Sequence, residues 1–340
     1  MDGHIVAFWE KGNLNIMDNI RNIKISIIIP CYNEEKFLPL LFSEINKLSV
    51  DKNDFEIILV DNGSTDRSIE IAKNNNAKVY IDAKANISKL RNIGAQNAEG
   101  KIFAFLDADC LPFSNWLEEA LKYIDQTKIG LFGSIPICPH NGTWVEKVWI
   151  GGISPIGVNE VDFLCTANMF ILKSAFIKVN GFNEDLLTGE DYDICQRIIK
   201  AGYKIIKDSN ISVVHLRYPK TILDRFRKEI WYGEEMFNIL KVNPFYKPFW
   251  ASLIFGLSFF LIIICICFRL SDLILFLSLS IFLILPVISA SFKIHQSKKV
   301  EFYFQLIILY FVYLAGRFFS IIKIIKNKVV PKKLKDMKNK

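Results

Sequence analysis

From residue 24 onward, apolar runs of strand length alternate with stretches whose apolar residues recur at helical spacing. Ile25-Ser26-Ile27-Ile28-Ile29 reads as a strand, 34–48 as an amphipathic helix, 55–61 as a strand and 65–75 as a helix. A short strand at 78–81, a helix at 88–98 and a strand at 101–107 continue the series. This alternation is βαβ grammar, and it predicts an α/β fold with a mainly parallel sheet and helices on both faces. Such sheets bind ligands beyond the carboxyl ends of their strands. Those ends carry Pro30-Cys31-Tyr32-Asn33-Glu34, Asp61-Asn62-Gly63-Ser64 and Asp107-Ala108-Asp109, so the polar chemistry gathers on one rim.

Near Phe249 the pattern changes. Residues 249–268 and 273–291 carry no charge, each is close to the ~20 residues that span hydrocarbon, and neither has a polar face. Both read as transmembrane helices. A third apolar stretch, 302–322, contains Gln305 and Arg317 and either spans the bilayer or lies along its surface. Charge favours the second. The loop between the first two spans has only Arg269 against Asp272, whereas Lys293, Lys298, Lys299 and a lysine-rich tail flank the third stretch on both sides. Two spans and an interfacial third helix keep every basic segment in the cytoplasm, and three full spans would export the tail.

Composition fits this division. The 340 residues exceed a single domain of ~100 to 200 residues. The hydrophobic content of 51% and mean hydropathy of +0.25 reflect an apolar excess in the last third. The expected organisation is an N-terminal extension at 1–23, an α/β domain at 24–218, an amphipathic linker at 219–248, a membrane region at 249–322 and a polybasic cytoplasmic tail at 323–340. The formal charge of +7 sits entirely in that tail, which holds eight Lys against one Asp. A basic run beside apolar helices faces anionic headgroups, and nothing upstream offers a basic stripe with interleaved aromatics, so nucleic acid is excluded as a partner. Seven cysteines without a CxxC pair imply neither a zinc knuckle nor a disulfide framework and fit a reducing cytosol. Residues 1–21 are mixed and polar, without an apolar signal segment, and Met17 is a possible start.

Asp107-Ala108-Asp109 follows the apolar strand 102–106, presenting two carboxylates where a divalent ion and a diphosphate meet; hard oxygen ligands suit Mg²⁺ or Mn²⁺. The same tripeptide also serves ordinary turns. After the second strand, Ser64, Thr65 and Asp66 are accounted for as caps of the next helix. Asp61 is not needed for that and is the candidate base contact. Arg91, in Ser88-Lys89-Leu90-Arg91-Asn92-Ile93-Gly94, places a guanidinium for a diphosphate, with a surface ion pair as the competing account. Gly189-Glu190-Asp191-Tyr192-Asp193 opens a helix running to Ala201. Acids there suit the helix dipole, and a carboxylate so held is also placed to deprotonate an acceptor hydroxyl.

In order along the chain stand the strand with Pro-Cys-Tyr-Asn-Glu-Glu, then Asp-Asn-Gly-Ser-Thr-Asp, Arg-Asn-x-Gly with Ala98-x-Gly100, Asp-Ala-Asp, Gly181-Phe182-Asn183-Glu184, Glu-Asp-x-Asp-x-x-x-Arg, and a strand ending in His215. This ordered series, from residue 24 to about 217, resembles the family 2 glycosyltransferases of GT-A fold. The resemblance implies a nucleoside pocket lined by Pro30, Tyr32, Glu34 and Asp61, with Arg91 near the nucleotide. It implies Asp107 at ribose or metal, Asp109 as ligand of the metal on the diphosphate, His215 as a further metal or phosphate contact, Asp191 as general base and Glu190 beside it at the sugar. A lone His is as often a packed core residue.

The implied reaction is a single inverting displacement from a nucleotide-diphosphate-sugar to a lipid-linked or polysaccharide acceptor at the cytoplasmic membrane face, with membrane lipid as a further partner. Two departures are Asn180, where the family often has Gly, and Asn183, where it often has Asp. In place of the Gln-x-x-Arg-Trp of processive synthases stands Arg227-Lys228-Glu229-Ile230-Trp231, which favours single additions, with Trp231 at the acceptor site or simply packing a helix. A catalytically silent nucleotide-binding scaffold is the alternative, disfavoured by intact Asp107, Asp109 and Asp191. A nucleotidyltransferase lacks support because the first strand is not followed by a Gly- and Arg/Lys-rich phosphate loop.

Overall fold

The computed structural model describes residues 23–151, 157–186, 188–242, 244–297 and 302–329. Most of the N-terminal extension with Met17, Lys298 and Lys299, and the tail beyond 329 lie outside the described residues. In chain order the elements are β1 (Ile25–Cys31), α1 (Leu38–Ile45), β2 (Phe55–Asp61), α2 (Ser68–Asn74), β3 (Lys78–Ile81), α3 (Ile87–Gln96), β4 (Ile102–Leu106), β5 (Cys110–Pro112), α4 (Trp116–Leu121), β6 (Ile129–Gly133) and α5 (Trp144–Gly151). There follow β7 (Val158–Val161), β8 (Asn168–Leu172), α6 (Lys173–Lys178), α7 (Glu190–Lys200), β9 (Lys204–Asp208), β10 (Val213–His215), α8 (Ile222–Tyr232), α9 (Met236–Val242), α10 (Lys247–Phe268), α11 (Asp272–Ser297) and α12 (Tyr303–Val329). The chain divides into two compact units, one with its described residues up to Ile137 and from 157 to Leu216, the other holding 138–151 and the described residues from Arg217 onward.

The first unit is built on a sheet of order β3-β2-β1-β4-β8-β6-β9-β7. β1 is buried along its whole length and pairs in parallel with β2 and β4, as a continuous apolar run covered on both faces should. β8 runs antiparallel between β4 and β6, and β7 is an antiparallel edge on β9, so all strands but these two point the same way. Alternating side chains divide the core between the two faces. Phe103 and Phe105 pack with Phe176 and Phe182 on one side, while Trp116, Tyr123, Phe132 and Phe170 stack on the other. The strands expected from sequence lie where the pattern put them, but two helices are shorter. α1 begins at Leu38, with Pro39 in its first turn. α2 begins at Ser68 rather than 65, because Ser64, Thr65 and Asp66 are bonded to the loop after β1 instead of opening a helix.

In the second unit α8 packs along α12, and small residues let the backbones approach. A Cβ on Gly316 would lie 2.7 Å from Glu229 Cβ and 3.0 Å from the Phe226 carbonyl oxygen. Gly316→Leu is therefore expected to destabilise by about 1–3 kcal/mol through overpacking, measurable as a lowered thermal midpoint of the detergent-solubilised protein. Gly256 on α10 similarly leaves room for the Phe318 ring. Among the described residues three helices are long and apolar enough to cross a membrane, Lys247–Phe268, Asp272–His295 and Tyr303–Lys326, the third being the stretch read from sequence as interfacial.

Candidate active site

The rim begins with two interlaced loops. Asn33, held at φ +54°, donates its backbone N–H to Ser64 Oγ (2.8 Å) and accepts from Thr65 N–H (2.8 Å), while the Glu34 N–H donates to Ser68 Oγ (2.8 Å). Asn tolerates this left-handed conformation because its short polar side chain bonds locally. Pro30 sits opposite Val60 in the β1–β2 register, and Tyr32 is exposed at the loop. Asp61 is fully buried: its carboxylate accepts from the N–H groups of Gly63 (2.8 Å) and Ser64 (2.7 Å) and from the Ser64 hydroxyl. The turn does need Asp61, contrary to the sequence argument that set it aside for the base.

α3 carries the central brace. Its N-cap is Asn86, whose side chain accepts from Lys89 N–H (2.9 Å). Gly94 allows the helix onto β1, since a Cβ there would fall 2.3 Å from Ile28 Cγ2. Arg91 is only 3% exposed, and it donates from Nη1 to Glu190 Oε1 (2.7 Å) and from Nη2 to Asp107 Oδ1 (3.1 Å). The surface ion pair considered from sequence is thus a bridge from a buried Arg91 to Asp107, nearby in the chain, and to Glu190, 99 positions on. Asn92 beside it accepts from Phe182 N–H and donates to the Phe182 carbonyl, both at 2.9 Å. That loop turns at Asn180 and Gly181, with φ of +58° and +64°; Asn at the first of these is the substitute for Gly that the conformation best tolerates. Arg197 closes the loop from α7, donating to the Gly181 carbonyl (2.7 Å) and to Asp193 Oδ2 (2.6 Å).

Glu190 and Asp191 open α7 after Gly189, whose φ of +79° swings the chain into the helix. Asp191 Oδ1 accepts from Tyr192 N–H at 2.8 Å. Burial, with the Glu190 charge adding, pushes the Asp191 carboxyl up from the usual 3.8 to about 7, while Arg91 draws it down.

The Asp-Ala-Asp turn is pinned from the other side. β5 pairs antiparallel with β10, setting Cys110 opposite His215, and Leu216 N–H donates to the Asp109 carbonyl (2.9 Å). His215 Nε2 lies 3.7 Å from Asp109 Oδ1, and Asp109, Cys110 and His215 offer three ligand atoms within 4.8 Å of one another. The Asp109 carboxylate suits a hard divalent ion, and the His215 imidazole offers a nitrogen ligand beside it. The Cys110 sulfur, a soft ligand, suits a hard divalent ion poorly; burial and then Asp107 and Asp109 push its thiol pKa well above the usual value. Asp107 is outside this trio, its Oδ1 engaged by Arg91. Sequence reasoning passed over Cys110 and also Cys165, whose thiol burial and then the charges of Asp191 and Asp107 push up to about 12. The adjacency of Cys110 to the Asp-Ala-Asp turn was the one available signal. Trp231, on α8 in the second unit, is exposed, with Lys228 Nζ 4.4 Å from its ring centroid.

Comparison with known proteins matches residues 26–179 to glycosyl transferase family 2, and residues 159–220 to the model described as the N-terminal domain of galactosyltransferase. The sheet domain belongs to glycosyl transferase family 2. Among relatives of this glycosyltransferase domain, glycosyltransferase AglE of Haloferax volcanii is 29% identical over 191 residues, 53% of this chain and 63% of that protein. The chain thus spans under two thirds of that relative's length. The dolichyl N-acetyl-alpha-D-glucosaminyl phosphate 3-beta-D-2,3-diacetamido-2,3-dideoxy-beta-D-glucuronosyltransferase of Methanococcus voltae is 28% identical over 274 residues, 71% of this chain and 85% of that protein. In fold, the chain resembles the mannosyltransferase PcManGT of Pyrobaculum calidifontis, solved with GDP-Man and Mn²⁺, at a TM-score of 0.56 and 14% identity over 94% of each chain. The expected GT-A architecture is therefore borne out.

Proposed function

We propose that the chain is an inverting glycosyltransferase that moves a sugar from a nucleotide-diphosphate-sugar to a lipid-linked acceptor at the cytoplasmic face of a membrane. The observation that carries this reading is the Arg91 bridge. One guanidinium ties the carboxylate next to the candidate base to the first carboxylate of the Asp-Ala-Asp turn, so the acceptor side and the diphosphate side of a transfer are held as one unit. Asp191 takes the proton from the acceptor hydroxyl as that oxygen attacks the anomeric carbon. Glu190, fixed by Arg91, orients the sugar. Pro30, Tyr32 and Glu34 line the nucleoside pocket, and Asp61 shapes it by ordering Gly63 and Ser64. Asp109 and His215 would hold a divalent cation, which would supply Lewis-acid neutralisation of charge on the diphosphate.

The membrane part of the proposal rests on charge. α12 carries Arg317, whose Nε donates to Glu229 of α8 at 2.7 Å, and Lys323, which pairs with Glu234. A helix whose charged side is engaged by an amphipathic neighbour suits the interface, leaving α10 and α11 as the spans. The Methanococcus relative's acceptor, a dolichyl phosphate sugar, favours a lipid-linked acceptor over a free glycan. A panel of nucleotide-diphosphate-sugars with Mn²⁺ tests the donor half without any acceptor. At a concentration near 100 Kd the matching donor is expected to stabilise the protein by about 2.7 kcal/mol and to release nucleotide diphosphate slowly. Stabilisation without release under any acceptor condition would favour the silent scaffold, and a panel without any binder would sink both readings.

A further inference from the structure

The second unit contains buried cations that the reaction above does not use. Arg225 on α8 is 5% exposed and Lys293 on α11 is 9% exposed. Both lie over the ring of Trp149 on α5, the guanidinium carbon 3.6 Å and the ammonium nitrogen 3.8 Å from its centroid. Lys293 also donates to the Trp149 carbonyl at 2.7 Å. Tyr310 and Tyr313 pack against the same indole with centroid distances of 5.7 and 5.9 Å. Arg317 joins through Glu229, which accepts from Arg225 and from Arg317.

These charges do not balance. Among the described residues Glu229 is the carboxylate that pairs with Arg225 and Arg317, and Lys293 forms no ion pair. Glu146, one helical turn before Trp149, forms no ion pair with them and accepts instead from Thr143 N–H. Arg225 Nε is buried without a hydrogen-bond partner, and the Lys293 ammonium, with three donors, uses one on a carbonyl. Burying unpaired charge is costly, and contact with an aromatic face recovers only part of that cost. A phosphate suits these donors: it accepts several charge-assisted bonds at once and fits guanidinium geometry.

We propose that Arg225 and Lys293, set against Trp149, form a seat for the phosphate group of the lipid acceptor. This rests on the reading that the acceptor is lipid-linked. The lipid source is favoured over free phosphate because Lys293 stands two residues from the end of the apolar helix Asp272–His295, where a span meets the headgroup layer, and because Arg317 belongs to another long apolar helix. Trp149 with its two tyrosines supplies the amphipathic aromatic surface common at that level.

The test uses the full chain in detergent, titrated with farnesyl phosphate, farnesol or inorganic phosphate and read by thermal shift. Farnesyl phosphate is expected to stabilise the wild type saturably, and Lys293→Met to weaken its apparent affinity about tenfold or more. Arg225→Gln should act likewise; since it also breaks the Glu229 pair, Lys293→Met is the deciding variant. Nucleotide-sugar stabilisation is expected to be the same in wild type and Lys293→Met. Equal affinity of Lys293→Met and wild type for farnesyl phosphate would overturn the seat. So would farnesol matching farnesyl phosphate, or inorganic phosphate matching it, the last marking a free-anion site. Donor turnover in the same preparations separates the two proposals: its absence beside intact, Lys293-dependent farnesyl phosphate binding overturns the enzymatic reading and leaves the phosphate seat standing.

Discussion

Asp191→Asn is expected to lower sugar transfer by about 10²–10⁴-fold, the usual contribution of a positioned base, with nucleotide-sugar affinity nearly unchanged. As the proposed base, Asp191 acts in its ionised form, and its carboxyl is pushed up to about 7, so kcat/KM should rise with pH through that value and level off above it. The variant's residual rate should lack this limb. Stability should move the other way. The folded protein keeps Asp191 protonated up to about 7, whereas the unfolded chain releases that proton near 3.8, so Asp191 lowers stability progressively as pH rises between those values. The Asn side chain still accepts from Tyr192 N–H and carries no charge to desolvate. Asp191→Asn is thus expected to melt higher than wild type at pH 8 while being nearly inactive, a combination that a misfolded variant cannot produce.

Arg91→Met is the second large effect. It leaves the Glu190 and Asp107 carboxylates without the cation they share, and breaking a buried pair in this way costs about 3–5 kcal/mol. Activity should fall with it, because Glu190 loses its anchor. The diagnostic reading is the pH profile. Arg91 draws the Asp191 carboxyl downward, so in Arg91→Met the residual kcat/KM should rise at a higher pH than in wild type. Arg91→Lys keeps the charge but cannot reach two carboxylates with a planar fork; it should retain most of the pH position and only part of the rate. A role confined to folding would leave the limb where it is.

The parallel half of the fold was legible because β1, β2 and β4 are buried apolar runs separated by helices with helical periodicity, and that pattern survives without knowledge of partners. The antiparallel half was not. β8 inserts between β4 and β6 only in the tertiary structure, and its sequence Asn168-Met169-Phe170-Ile171-Leu172 carries no local mark of that pairing. At the site, the acids at strand ends and at the entrance of α7 were readable from type and position. The partners of Arg91 were not, since Glu190 lies about a hundred residues away and no spacing rule connects them. Arg197 and Asn92 teach the same lesson. Both belong to the ordered motifs, yet their polar atoms hold the Gly181–Phe182 loop rather than any open position on the rim. Asp61 was read as spare because helix capping did not need it, when the turn itself did.

The central claim is that Asp191 and the Asp109–His215 pair act together in one sugar transfer on a membrane lipid. The most direct measurement incubates membranes containing the full chain with radiolabelled nucleotide-diphosphate-sugars and Mn²⁺ and counts label in the organic-solvent extract. The wild type should place label in extractable lipid, chelation of the divalent ion should stop it, and Asp191→Asn membranes with the same protein content should give about 1% or less of the wild-type rate. Label entering lipid at equal rates in wild type and Asp191→Asn would contradict the account.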